Sequence, residues 1–141
     1  MDTIDNDKKR DEIPEVYSKI SFSFDENVDV DMILNDLKGL GIYDTEVIRP
    51  KCFPRVSIGF AEIYYERFWY ISEALTKMFS KVEGRLPQLK ALLARYNGSA
   101  FIDIAFYQYG TYPALDFDGE NMKKIRFLEA DIGIDPYDGS S

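Results

Sequence analysis

Histidine is missing from this 141-residue sequence. The commonest general base and the commonest metal ligand go with it, so neither a Ser-His-Asp nor a Cys-His arrangement can be assembled. Cysteine occurs once, as Cys52, which excludes an intramolecular disulfide. The first residues alternate Asp with Lys and Arg and lack the apolar run of a secretion signal, so a cytoplasmic protein is expected. No stretch approaches the roughly 20 apolar residues of a membrane span. Cations are in deficit too: 17 Lys and Arg stand against 25 Asp and Glu, a formal charge of −8. Phosphate recognition rests on cations that displace counterions. The balance therefore argues against a general nucleic-acid binder and favours basic protein partners.

What the chain does have is apolar and aromatic material. Hydrophobic residues supply 45% and aromatic residues 15%, with ten Tyr and ten Phe. A chain of this length buries roughly two-thirds of its unfolded surface, enough for one core without staples. Aromatic rings suit cores and interfaces alike, so the surplus alone decides nothing. Residues 1–14 are expected to form a flexible polar arm, 15–138 a single domain and 139–141 a frayed tail.

Over 16–24, Val16, Ile20, Phe22 and Phe24 fall on one face while Tyr17, Lys19, Ser21 and Ser23 fall on the other, the pattern of a half-buried strand. A helix follows, with Asp29 or Asn27 as its cap, Val30, Ile33, Leu34 and Leu37 at helical spacing, and Gly39 and Gly41 as its stop. A short extended piece is expected at 45–48, then two strands over 55–71 broken near 65–67. Ser72 opens a capped amphipathic helix that ends near Gly84, and 86–96 continues helically. Strands at 100–109, 114–117 and 132–137 and a helix at 120–130 complete the chain. Helices interrupt strands without a strict βαβ rhythm. This points to an α+β fold, a mostly antiparallel sheet with helices packed on one face. A strand–helix–strand unit opens the chain and another closes it, so a duplicated ferredoxin-like plan is compatible with the order.

Catalytic and metal-binding patterns fall short. Cys52 follows Lys51, but no histidine is at hand to activate the thiol. Asp116 and Asp118 would share a face if extended, as a working carboxylate pair requires, yet Asp118 reads better as a helix cap. With Gly119 at the glycine position of a calcium loop, Ala114 and Ile125 stand where the first and last carboxylates belong. No enzyme activity, cofactor or metal is expected. Acid beside aromatic is what remains. Tyr107, Tyr109 and Tyr112 with Asp116 and Asp118 form one candidate partner-binding segment, and Tyr64, Tyr65 and Glu66 form a second. Rings provide contact area and carboxylates pair with Lys or Arg, although the same rings also serve as ordinary core. An apolar pocket around Trp69, Tyr107 and Tyr109 would instead suit a small molecule.

Several motifs carry a family likeness: Trp69-Tyr70-Ile71-Ser72, Leu86-Pro87, Pro113-Ala114-Leu115-Asp116-Phe117-Asp118, and Leu128-Glu129-Ala130-Asp131-Ile132-Gly133-Ile134-Asp135 with Tyr137. Through them, about half of the chain resembles the bacterial domain-of-unknown-function family 4279, and residues 16–41 suit that family's opening strand and helix. Pro136 departs from the pattern, standing where an apolar strand residue is expected. The resemblance implies an α+β domain and carries no catalytic set across. Small acidic bacterial proteins of such families often look like immunity proteins, which neutralise a toxin. The expectation is thus a non-catalytic binding protein, an immunity protein that occludes a basic toxin domain. A small-molecule or regulatory ligand-binding domain is the alternative.

Overall fold

The structure, a computed structural model, describes residues 12–139. The arm expected over 1–14 and the tail expected over 139–141 fall largely outside the described residues. The elements are β1 (Glu15–Asp25), α1 (Val30–Gly39), β2 (Glu46–Ile48), β3 (Arg55–Arg67), α2 (Ile71–Ser80), α3 (Leu86–Arg95), β4 (Ser99–Gln108), α4 (Gly119–Phe127) and β5 (Asp131–Asp138). The strands build one sheet in the order β2-β3-β1-β4-β5. β1 is antiparallel to β3 and β4, β2 is antiparallel to β3, and β5 runs parallel to β4. The fold is α+β. From β1 to β4 it follows the split β-α-β plan of a ferredoxin-like sheet, and α4 with β5 adds a parallel edge strand.

Alternation along the strands sorts the two faces. Val16, Ile20, Phe22 and Phe24 of β1 are buried, together with Ile58 and Phe60 of β3 and Ile102, Ile104 and Phe106 of β4. Ile33 and Leu37 of α1, Leu75 and Met78 of α2, Leu89 of α3 and Ile125 of α4 join them in one core. Fully burying each such side chain contributes about 1.5–3 kcal/mol. All the described helices therefore lie on one face of the sheet. Among the described residues no helix is long and apolar enough to cross a membrane.

β3 is one strand of 13 residues, where two strands broken near 65–67 were expected. Its register with β1 slips between Val16 and Ser18 and again between Ser18 and Ile20. At the slips Ala61 (φ 57°) and Tyr65 (φ 43°) adopt left-handed backbone. Bulges add a residue and bend a strand without ending its pairing, which is why a change of pattern looked like a break. At the other edge, Pro136 stands opposite Phe106 in the β4–β5 pairing. An edge strand tolerates proline, so the departure noted above leaves the last strand paired.

Two further expectations are corrected around α2. No strand forms at 114–117; Ala114 makes only an isolated bridge to Tyr70. Nor does Ser72 open the helix, which starts at Ile71 after Tyr70, and Tyr70 has no side-chain capping bond. The cap comes from far along the chain. The Ile71 N–H donates to Ala114 O at 3.0 Å. The Ser72 N–H donates to Asp116 Oδ1 at 3.2 Å, and the Ser72 hydroxyl donates to Asp116 Oδ2 at 2.6 Å. A helix start leaves N–H groups without partners and favours negative charge, so a distant carboxylate serves where a local cap is missing. Asp118 caps α4 locally, accepting from the Asn121 N–H at 2.9 Å. Buried Asn121 then ties α4 to α2 by donating to Ser72 O at 3.2 Å and Thr76 Oγ1 at 3.1 Å.

Replacing Asp116 by Ala should cost about 0.5–2 kcal/mol, the range for a lost helix cap, seen as a lower urea midpoint at unchanged slope. A midpoint equal to that of the parent would show that Asp116 caps nothing. Ala61→Gly should reverse the usual sign for glycine in a strand. Relief of left-handed strain outweighs the added chain entropy, for a gain of about 0.5–1 kcal/mol in the same assay.

Candidate functional site

The face of the sheet turned away from the helices carries Tyr17, Lys19, Ser21 and Ser23 from β1. Register places Asp103, Ala105 and Tyr107 of β4 beside them, with Asp135 and Tyr137 of β5 beyond. Tyrosines dominate one end. Ring centroids are 6.1 Å apart for Tyr64 and Tyr17, 5.3 Å for Tyr17 and Tyr65, 5.2 Å for Tyr65 and Tyr107, and 5.2 Å for Tyr107 and Tyr137. These separations are those of rings in contact, so the five form a continuous row from β3 across β1 and β4 to β5.

Neighbouring residues on a regular strand point to opposite faces, which would separate Tyr64 from Tyr65. The left-handed backbone at Tyr65 brings both rings to the same side, 5.1 Å apart. A non-glycine residue held there costs on the order of 1–3 kcal/mol, and here the strain sits where two rings share a face. Three of the five rings are exposed, Tyr64 by 71%, Tyr137 by 47% and Tyr107 by 36%, while Tyr17 and Tyr65 are half-buried between them.

Carboxylates flank it. The Tyr17 hydroxyl donates to Glu62 Oε2 at 2.7 Å, and the Ser21 hydroxyl donates to Asp103 Oδ2 at 2.8 Å. At the rim the Tyr109 hydroxyl donates to the Glu15 carboxylate, and the Arg67 guanidinium lies 5.4 Å above the Tyr109 ring. Lys19 leans away from Asp103. A Cβ at Gly59 would fall 2.7 Å from Lys19 Cδ, so the lysine stem lies across β3 on the space that glycine leaves. Its end borders a small hollow lined by Asp44, Glu46 and Glu62. Between row and carboxylates lies an open concavity of about 780 Å³, with Tyr17, Tyr65, Asp103, Ala105 and Asp135 in its lining. A smaller groove of about 430 Å³ separates α1 from α3 on the other side of the molecule.

Burial, reinforced by the bonded Glu62 carboxylate, pushes the Tyr17 hydroxyl far above the ordinary tyrosine range. Burial and then the neighbouring Tyr107 raise Tyr65, while the bond to Glu15 is the main cause at Tyr109. These phenols are therefore neutral donors at physiological pH. The site offers rings, hydroxyls and carboxylates, a set suited to holding a cation.

Of the residues singled out from sequence, Tyr64, Tyr65 and Tyr107 meet in the row, with Tyr109 at its rim. Tyr112 stands apart, edge-on to Phe106 at 5.9 Å. Glu66 pairs with Lys77. Asp116 and Asp118 serve as helix caps rather than lining the concavity. Trp69, Tyr107 and Tyr109 are not in that lining either, so the apolar pocket expected around them has no counterpart there. Tyr17, Tyr137, Glu62, Asp103 and Asp135 had not been picked out. Alternation marks Tyr17 as outward-facing, but only the strand order reveals what lies beside it. Among the described residues, no group of three or more His, Cys, Asp or Glu is placed to hold a metal ion, and Cys52 is exposed and free. No family model, curated protein or solved structure matches this chain.

The raised Tyr17 value sets a pH window. Unfolded tyrosine ionises near pH 10, whereas folded Tyr17 stays protonated. Its stabilising contribution is full below about pH 10 and is lost as pH rises toward the folded value. Urea midpoints measured at about pH 8 and about pH 11 should fall less for Tyr17→Phe than for the parent. An equal fall would show that the Tyr17–Glu62 bond does not couple to folding.

Proposed function

We propose that this chain is a non-catalytic binding protein that takes a basic protein partner on the uncovered face of its sheet. The role is that of an immunity protein occluding its cognate toxin domain. One observation carries the proposal: a row of five tyrosines, three exposed and two half-buried, flanked by Glu62, Asp103 and Asp135, on a face that no described helix covers. An antiparallel sheet commonly leaves one face to water, and that face is ordinarily polar. Here it bears large amphipathic rings, the residue type enriched at binding hot spots. The carboxylates and the net charge of −8 speed encounter with a cationic surface. Toxin domains that attack nucleic acids are commonly basic, which supports the pairing. Catalysis forms no part of the proposal. The concavity also falls within the ~300–1,000 Å³ of small-molecule sites, so a ligand-binding domain is the second reading.

The test is calorimetry with the toxin domain encoded beside this gene. A stoichiometric complex that weakens with added salt is expected. Tyr64→Ala and Tyr137→Ala, both at exposed rings, should each weaken it about tenfold or more, whereas Gln88→Ala in the groove between α1 and α3 should leave it unchanged. Loss of binding through Gln88 with both tyrosine variants intact would place the interface elsewhere. A complex insensitive to salt would remove the electrostatic part of the proposal.

A further inference from the structure

We infer that the dip over Ala105 is the subsite for one arginine side chain of the partner, an inference that rests on the binding face described above. Ala105 stands in register with Tyr17 on one side and Asp135 on the other. Two residues away along β4, on the same face, lie Asp103 and Tyr107. Tyr65 completes the enclosure, its ring 5.3 Å from that of Tyr17 and 5.2 Å from that of Tyr107. A methyl group thus forms the floor where every neighbour is larger; the rings of Tyr17 and Tyr65 and the carboxylates of Asp103 and Asp135 form the walls, with Tyr107 behind Tyr65. A planar guanidinium fits such walls, because it stacks on tyrosine faces and forks its donors to carboxylate oxygens.

Among the described residues, the cations nearest the dip are engaged elsewhere. Lys19 borders the concavity beside Asp103, but its stem and ammonium lie over Gly59 of β3. Arg55 donates through Nε to Ser23 Oγ at 3.0 Å and through a terminal nitrogen to Ser23 O at 2.9 Å. Arg67 lies over Tyr109. Apart from its backbone pairing with β4, Asp135 makes no hydrogen bond or ion pair through its carboxylate among the described residues. The Arg67 contact is also an internal precedent: a guanidinium sits on a tyrosine ring whose hydroxyl donates to a carboxylate, here Glu15. Tyr17 with Glu62 repeats the tyrosine–carboxylate half of that arrangement at the dip.

The probe is N-acetyl-arginine amide, titrated into the isotope-labelled full chain and followed by amide NMR shifts. The neutral isostere N-acetyl-citrulline amide is the control. Saturable shifts centred on Ala105, Tyr107 and Asp135 are expected with arginine, with affinity for citrulline at least about tenfold lower. Asp135→Asn, at an exposed position, should weaken arginine binding while leaving the rest of the spectrum in place, and Ala105→Leu should fill the dip and abolish it. Equal response to citrulline, shifts centred elsewhere, or no effect of Asp135→Asn would overturn the subsite. Failure here with the toxin complex still weakened by Tyr64→Ala would remove the subsite and keep the face. Failure of both would remove the face as well.

Discussion

The pairing of β1 with β3 governs most of what this protein presents. β1 is the middle strand of the sheet, and on its β3 side two bulges make the partner strand longer than β1 along the same course. Each bulge forces a non-glycine residue, Ala61 or Tyr65, into left-handed backbone. Bulges increase the local twist and coiling of a sheet, so the face without helices becomes concave. The second bulge also sets the orientation of Tyr65, and the row of rings depends on it. Without that slip Tyr64 and Tyr65 would face opposite ways, and the contacts from Tyr65 to Tyr17 and Tyr107 would be lost.

A one-sided sheet has a consequence for its second face. The core takes Phe22, Phe24, Phe60 and the aliphatic residues beside them, and the helices exclude water from that side. The opposite side keeps tyrosine, whose hydroxyl stays hydrated or bonded to carboxylates while its ring remains available for contact. Phenol ionisation is suppressed by burial and by Glu62 and Glu15, so the negative charge of the face resides on carboxylates and the rings remain donors. A surface of this make-up attracts cations at long range through charge and holds them at short range through ring faces.

Much of the fold was legible before any coordinates. The alternation in β1, the caps and stops of α1 and the local cap of α4 by Asp118 all follow from side-chain chemistry that acts over a few residues. What failed depends on distance along the chain. Asp116 caps α2 from 44 residues away, so its carboxylate resembled a site residue and the segment around Ala114 resembled a strand. The bulges of β3 resembled a break because a strand that changes face mid-course loses its period. For the candidate site, the tyrosines of 64–65 and 107 stood out by composition, yet Tyr17, Tyr137 and Asp135 join them only through strand order. No local pattern encodes that β5 lies parallel beside β4.

Cross-saturation from an unlabelled basic toxin partner to the deuterated, isotope-labelled chain tests the central claim most directly, since it reports contact without any substitution. Attenuation concentrated at the amides of Tyr64, Tyr65, Tyr107 and Tyr137, with α1 and α3 untouched, is the predicted result. Attenuation confined to α1 and α3, with the tyrosine row unaffected, would contradict it.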